Sequence, residues 1–119
     1  MGDLRVFILF TSILLFSLAG CTNGGASFEG VVAQKIETSH NSLQILVIPN
    51  IEPEAIEGLS EQQIIKLAQQ NDAKFFPVSK KTFETSVTGK KVEVWYEASG
   101  GVDDSNPPIQ HGVQKVIFK

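Results

Sequence analysis

The sequence predicts an α+β fold that is mainly β, a small five-stranded antiparallel barrel or bent sheet with one helix, behind an N-terminal signal segment. Three observations lead to this prediction. Short runs rich in Val, Ile and Phe recur from Phe28 onward and are separated by turn residues, as in small β domains. One stretch, residues 59–72, has the period and the cap residues of a helix. Residues 1–20 have the three-part pattern of an export signal.

The apolar run at residues 6–19 belongs to the signal and not to the folded domain. In a helix, at about 1.5 Å per residue, it reaches about 21 Å, which is short of the roughly 30 Å of a bilayer core. The quartet "LAGC" at residues 18–21 resembles the lipobox of bacterial lipoproteins, in which the thiol carries a diacylglyceryl group and becomes the new N-terminus. Cys21 is therefore the predicted lipidation site. The alternatives are a plain secretory signal with a chance cysteine, or an uncleaved N-terminal anchor.

These features divide the chain into three parts. Residues 1–20 are the predicted lipoprotein signal peptide, residues 21–27 the lipidated cysteine with a small, polar spacer, and residues 28–119 a single domain. Cys21 is the only cysteine, so its lipidation excludes a disulfide and leaves stability to an apolar core. A net charge of −3 gives no whole-molecule attraction for nucleic acid. We expect an extracytoplasmic domain on the outer face of the cell membrane, held there by a diacylglyceryl anchor.

The β-strands are predicted from alternating apolar residues between turns. Gly30 in the first strand marks a bulge or a sharp bend, a device that curls a sheet. A polar turn, residues 38–42, joins the first two strands into a hairpin, and residues 98–111 form an irregular loop. The five predicted strands cover residues 28–37, 42–49, 74–79, 90–97 and 112–119.

The helix is the clearest local signal in the chain. Ser60 is the expected N-cap, and Gln63 three positions later completes a capping box. Ile64, Leu67 and Ala68 line one face, so one side of the helix packs and the other is solvated. A single helical turn is also expected after Pro53.

The order of these elements predicts an oligonucleotide/oligosaccharide-binding-like (OB-like) barrel. In that fold the helix commonly lies between the third and fourth strands, whereas here it precedes the third. The order would fit better if "TFETSV", residues 82–87, were an additional strand.

Several of these segments together resemble a family of small lipoproteins from Firmicutes that is catalogued as a domain of unknown function. The resemblance spans about residues 28–118, and its most specific parts are the strand at residues 89–95 and the cluster of Ser105, Pro107, Pro108 and Gln110. It implies an OB-like fold and surface anchoring. It implies no known activity and no catalytic residues.

Catalytic and metal-binding motifs are weak in this sequence. Asp103, Asp104 and His111 lie close together in sequence, but their spacing matches no known metal-ligand pattern, and solvated loop residues are the simpler interpretation. Ser105 lies in no nucleophile motif and has no evident base. We therefore predict no enzyme activity, no catalytic residue, no metal and no cofactor.

A binding surface is the remaining functional hypothesis. Trp95 lies on the polar side of its strand, where it either covers the end of the barrel or forms part of a recognition surface. Two lysine pairs, Lys80-Lys81 and Lys90-Lys91, either form a positive patch beside Trp95 or are solvated. The predicted function is a noncatalytic binding or protein-interaction module at the cell envelope. The alternatives are a small-ligand or cell-wall glycan binder and, after it, a hydrolytic enzyme. The candidate surface contains Trp95, Asp103, Asp104, Ser105, Pro107, Pro108 and Gln110.

Overall fold

A computed structural model describes residues 25–119, which form one sheet and two α-helices. The predicted signal peptide and Cys21 lie outside the described residues. The strands are β1 (Gly25–Glu37), β2 (Leu43–Ile48), β3 (Lys74–Pro77), β4 (Lys91–Glu97), β5 (Val102–Asp103), β6 (Ile109–Gln110) and β7 (Val113–Phe118). The helices are α1 (Glu61–Gln70) and α2 (Lys80–Thr85), and a 3₁₀ turn covers Pro53–Ile56. Neither of these helices is long and apolar enough to cross a membrane.

The seven strands form an open, mixed sheet in the order β5-β6-β3-β2-β1-β4-β7. All pairs are antiparallel except β3 and β6, which run parallel where Phe75 meets Ile109. The α+β, mainly β class is therefore confirmed, but the five-stranded antiparallel barrel is wrong. A barrel requires its edge strands to pair, whereas β7 pairs with β4 alone and β5 with β6 alone. The two additional strands, β5 and β6, come from the loop that was predicted to be irregular.

Strand β1 connects the two halves of the sheet. Its first part, Gly25–Val31, pairs with β4, and its second part, Val31–Glu37, pairs with β2. The strand begins three residues earlier than predicted, so Gly25–Ser27 lie in the sheet and not in a spacer. The irregularity in the β1–β2 ladder lies between Val32 and Gln34, not at Gly30.

Gly30 has a different role from the predicted one. A Cβ atom at this position would lie 2.4 Å from the carbonyl oxygen of Ile48 and 2.8 Å from a side-chain carbon of Val47. Only glycine therefore allows β1 and the end of β2 to approach this closely.

Each face of the sheet has its own apolar core. The helix-side core lies between the sheet and α1, and the inner core lies on the opposite face, next to α2. The helix-side core contains Val31, Ala33, Leu46, Ile48, Ile56, Ile64, Ala68 and Ala73. The inner core contains Val32, Ile45, Val47, Phe76, Val92 and Val94, with half-buried Phe28, Phe83, Tyr96, Val113 and Val116 packed against it.

Helix α1 was predicted correctly from the sequence, whereas helix α2 was not. In α1 the Ser60 hydroxyl accepts from the Gln63 backbone N–H at 3.2 Å, and the Gln63 side chain accepts from the Ser60 N–H at 2.8 Å. The capping box is thus confirmed, as is the single turn at Pro53. The segment considered as an extra strand instead lies mostly in α2, whose N-cap Ser79 accepts from the Thr82 N–H.

Candidate binding surfaces

Trp95 lies on the same face of the sheet as Val31 of the helix-side core, but in a part of that face that neither core includes. Adjacent residues of a strand point to opposite faces, so Val94 and Tyr96 enter the inner core while Trp95 points outward. Its cross-strand neighbours are Ser27 of β1 and Lys115 of β7. Trp95 is half-buried and belongs to neither core, so it does not close the end of a barrel.

Three groups hold the Trp95 indole in place. Its Nε1–H donates to Glu93 Oε1 at 3.0 Å, and the Lys115 ammonium lies 5.8 Å from the ring centre. On the β1 side, the ring lies close to Gly25, where an added Cβ would be 3.8 Å from Trp95 Cε3. The indole is thus an oriented aromatic group. We use the name Trp95 face for the surface formed by Trp95 and its neighbours Ser27, Glu29, Glu93, Lys115 and Ile117.

The Trp95 face carries charges of both signs. The indole N–H bond holds the pKa of the Glu93 carboxyl below its usual value of 4.5, with a bond to Glu29 and the charges of Lys119 and Lys115 acting in the same direction. Lys119 also lies 3.4 Å from a carboxylate oxygen of Glu29. Carboxyl and ammonium groups therefore lie around one aromatic ring on three paired strands.

Most of the predicted site residues in and beside the loop between β5 and β6 form hydrogen bonds or contacts that stabilise the loop itself. His111 Nε2 lies 2.8 Å from Asp103 Oδ2, and the Ser105 hydroxyl donates to the Pro107 carbonyl at 2.8 Å. Pro107 is buried, and Pro108 lies beside β3, where its carbonyl accepts from the Phe75 N–H at 2.9 Å. Asp104 is exposed.

Gln110 is a structural residue. It is only 2 % exposed, and its Nε2 donates to the carbonyls of Gly101 at 3.2 Å and His111 at 3.1 Å. Its Oε1 accepts from Lys74 Nζ at 3.4 Å. The buried amide thus fastens the loop to β3.

The structure divides the predicted surface into two parts. Lys74 Nζ reaches both Gln110 and the hydroxyl of Tyr96, so the loop meets Tyr96 on the inner side of β4 while Trp95 points outward. Sequence reasoning missed Lys74 and Lys115 as neighbours of the two aromatic residues. The alternation of strand β3 contains a signal for Lys74, because it places Lys74 on the same side as Phe76.

The two lysine pairs do not border Trp95. Lys80 and Lys81 begin α2, and Lys91, at the opposite end of β4 from Trp95, lies 3.4 Å from Glu52. Lys115 is the lysine that borders the indole.

The acidic and histidine side chains do not assemble into a larger cluster. Within residues 25–119 no three His, Cys, Asp or Glu side chains come together as a metal ion would require. His40 lies exposed in the turn between β1 and β2. The His111–Asp103 contact is a pair on the surface, with side-chain exposures of 43 % and 63 %.

Comparison with known proteins identifies one family. A family model described as "Protein of unknown function (DUF3221)" matches residues 29–116. Searches of curated proteins and of solved structures found no match.

Proposed function

The chain belongs to the family described as a protein of unknown function (DUF3221), and we propose that it is a lipid-anchored, noncatalytic binding module of the cell envelope. The Trp95 face is its proposed recognition surface, with an envelope protein as the partner. The single observation that supports this proposal is an oriented, half-buried tryptophan on a part of the sheet that neither apolar core of residues 25–119 includes.

Tryptophan is suited to this role for physical reasons. A large ring buries much apolar area at a small cost in side-chain entropy, which is why tryptophan recurs among the residues that dominate binding energy. The Glu93 bond orients Trp95 before a partner arrives, so less order has to be imposed on binding. The surrounding Glu29, Glu93 and Lys115 supply charges that select a complementary surface.

A cell-wall glycan is the second candidate ligand. Sugar rings stack on aromatic faces, and their hydroxyl groups bond to carboxylates, both of which the Trp95 face offers. The Trp95–Glu93 bond of 3.0 Å favours this candidate because it fixes a carboxylate at the edge of the ring.

The anchor at Cys21 is the second part of the proposal. The support is the lipobox-like quartet that closes an export-signal pattern. Gly25, where β1 begins, follows Cys21 by four residues, which span at most about 14 Å when fully extended. Since Gly25 pairs with Glu97 beside Trp95, an anchored domain would hold the Trp95 face near the membrane.

A noncatalytic role is proposed because the Ser105 hydroxyl, the candidate nucleophile of this loop, does not face the histidine that could act as its base. The Ser105 hydroxyl donates to a backbone carbonyl, and His111 faces Asp103. If the loop were an active site instead, changing Asp104 or His111 would abolish an activity of the purified protein.

Site-specific crosslinking in cells tests the binding surface. A photo-crosslinking amino acid at position 117 of the tagged, full-length protein probes the Trp95 face, and one at position 62 of α1 is the matched control. We expect one envelope protein to be captured from position 117 alone, and its capture to be lost in Trp95→Ala. Equal capture from both positions, or capture that survives Trp95→Ala, would contradict the proposal.

Two further measurements test the glycan candidate and the lipid anchor separately. Retention on insoluble peptidoglycan that disappears in Trp95→Ala, with no protein crosslink, would establish the glycan candidate. Membrane fractionation and labelling with a palmitate analogue test the anchor, and we expect both signals to be lost in Cys21→Ala. Unchanged fractionation of Cys21→Ala would refute the anchor and leave the binding surface standing.

A further inference from the structure

A groove of about 630 Å³ lies between β7, at one edge of the sheet, and the end of β3. One wall is four consecutive residues of β7, Val113–Val116, and the other is Pro77–Lys80, between the end of β3 and the start of α2. Residues 41–43, at the start of β2, close one end. The volume lies within the range of sites that bind ligands in proteins, and four residues on each wall give the groove the shape of an extended slot.

The β7 wall offers backbone hydrogen bonds. Strand β7 is at an edge of the sheet and pairs only with β4 among the described strands. The N–H and C=O groups along its other edge therefore have no strand partner, and such an edge can accept a further strand.

The groove lining contains apolar side chains, and its charges are of one sign. Leu43, Val78, Val113 and Val116 supply apolar side chains. Lys80 and Lys115 are the charged residues of its lining, which contains no carboxylate, and neither lysine forms an ion pair with another residue of 25–119.

The cationic groove stands out because the chain as a whole carries a net charge of −3. Two lysines without an ion-pair partner among residues 25–119, beside an open slot, attract an anionic occupant and suppress a cationic one.

We propose that this groove binds an extended acidic peptide segment of a partner protein, which adds to β7 as a further strand. Alternate side chains of an extended peptide point to opposite sides, so one set would contact the apolar side chains of the lining while acidic side chains of the other set meet Lys80 and Lys115. An anionic polymer would engage the two lysines but would use neither the backbone edge of β7 nor the apolar side chains of the lining. The groove is a different surface from the Trp95 face, although Lys115 borders both, and its proposal does not rest on Trp95.

Fluorescence anisotropy on the full chain in detergent micelles tests this proposal. The probe is a labelled seven-residue peptide of alternating valine and glutamate, and a valine–lysine peptide is its charge-reversed control. A third peptide keeps the glutamates but carries N-methyl groups along one backbone edge, so it retains charge and loses strand pairing. We expect only the first peptide to bind, and its binding to weaken as salt rises from about 0.05 M to about 0.5 M.

Matched protein variants locate the binding. We expect Lys80→Gln combined with Lys115→Gln to weaken binding about tenfold or more, whereas Lys66→Gln combined with Lys90→Gln makes the same change of charge outside the groove and leaves binding intact. Lys80→Gln alone, away from the indole, should also weaken binding, and Trp95→Ala should not.

Three results would overturn the proposal. They are absence of binding to the valine–glutamate peptide, equal loss in both double variants, and equal binding of the N-methylated peptide. The last result, together with competition by inorganic polyphosphate, would assign the groove to an anionic polymer. If Trp95→Ala abolished binding and the lysine variants did not, the peptide would bind at the Trp95 face and not in the groove.

Discussion

The ammonium group of Lys74 lies 3.4 Å from the hydroxyl of Tyr96 and 5.1 Å from the centre of its ring. It also lies 5.3 Å from the centre of the Phe28 ring and forms no ion pair with another residue of 25–119. The face of an aromatic ring attracts a cation, more strongly where water is excluded. Lys74 therefore covers the aromatic end of the inner core without help from a carboxylate.

This contact predicts that Lys74 stabilises the fold. Lys74→Ala removes both the cation over the rings and its aliphatic stem, so we expect the free energy of unfolding to fall by about 1 kcal/mol. Denaturant unfolding of the full chain measures this change. Lys66→Ala, on the solvated side of α1, is the control and should leave stability nearly unchanged. Equal stability of the two variants would contradict a role for the aromatic contacts.

The Trp95–Glu93 bond predicts a pH effect. Trp95→Phe removes the N–H donor, so the pKa of Glu93 should rise toward its usual value of 4.5, as a carbon-13 NMR titration of the carboxyl would show. Lys115→Gln removes only a neighbouring charge, which is a smaller cause of the lowered pKa, and should raise it less. An unchanged titration in Trp95→Phe would mean that another group holds the carboxylate.

The same bond links stability to pH with a definite sign. The pKa of Glu93 is lower in the folded chain, so the bond stabilises the fold above the usual value of 4.5, and this contribution is lost as the pH falls through the lowered pKa. We expect the stability difference between the wild type and Trp95→Phe to shrink over that acidic range. Denaturant unfolding at a series of pH values measures it, and a difference independent of pH would contradict the prediction.

The close approach at Gly30 predicts a large effect from one methyl group. Gly30→Ala places a Cβ against the Ile48 carbonyl, so either β1 or β2 must move, at a cost of about 2 kcal/mol or more. Gly25→Ala in the same strand is the matched control, because its Cβ meets only ordinary contacts near 3.8 Å. The midpoints of thermal unfolding compare the two variants. A Gly30→Ala protein as stable as Gly25→Ala would show that the strands separate easily.

The capping box predicts a smaller, local effect. Ser60→Ala leaves the Gln63 N–H without its side-chain acceptor, so we expect a loss of about 1 kcal/mol in the free energy of unfolding. Ser39→Ala in the exposed β1–β2 turn provides the control and should have little effect. Denaturant unfolding measures both variants, and an unchanged midpoint in Ser60→Ala would mean that water replaces the cap.

Elements specified by neighbouring residues could be predicted from the sequence. Ser60 and Gln63 identify the start of α1 because their bonds span only three positions. Helix α2 was missed because its β-branched threonines favour a strand, while the competing signal, the Ser79 cap, is a single hydrogen bond. Closure of the sheet was also mispredicted, since it depends on whether the edge strands β5 and β7 meet, which no local pattern encodes.

The candidate surface was predicted only in part for the same reason. Strand alternation correctly separates Trp95 from Tyr96, but which face is covered depends on where α1 and α2 pack. The parallel contact between Phe75 and Ile109 joins segments that are far apart in sequence. This contact, with the bonds of Gln110, draws the loop toward Tyr96 and away from Trp95.

The pairing of β1 with β4 determines how the domain would respond to mechanical force. The two strands face each other at seven consecutive positions, from Gly25 opposite Glu97 to Val31 opposite Lys91. Antiparallel hydrogen bonds run across the strands, so tension applied to the start of β1 along its axis loads all of them together in shear. The bonds then cannot open one after another as in a zipper. A pull from the N-terminal side is therefore shared by the whole ladder and transmitted through β4 to β7.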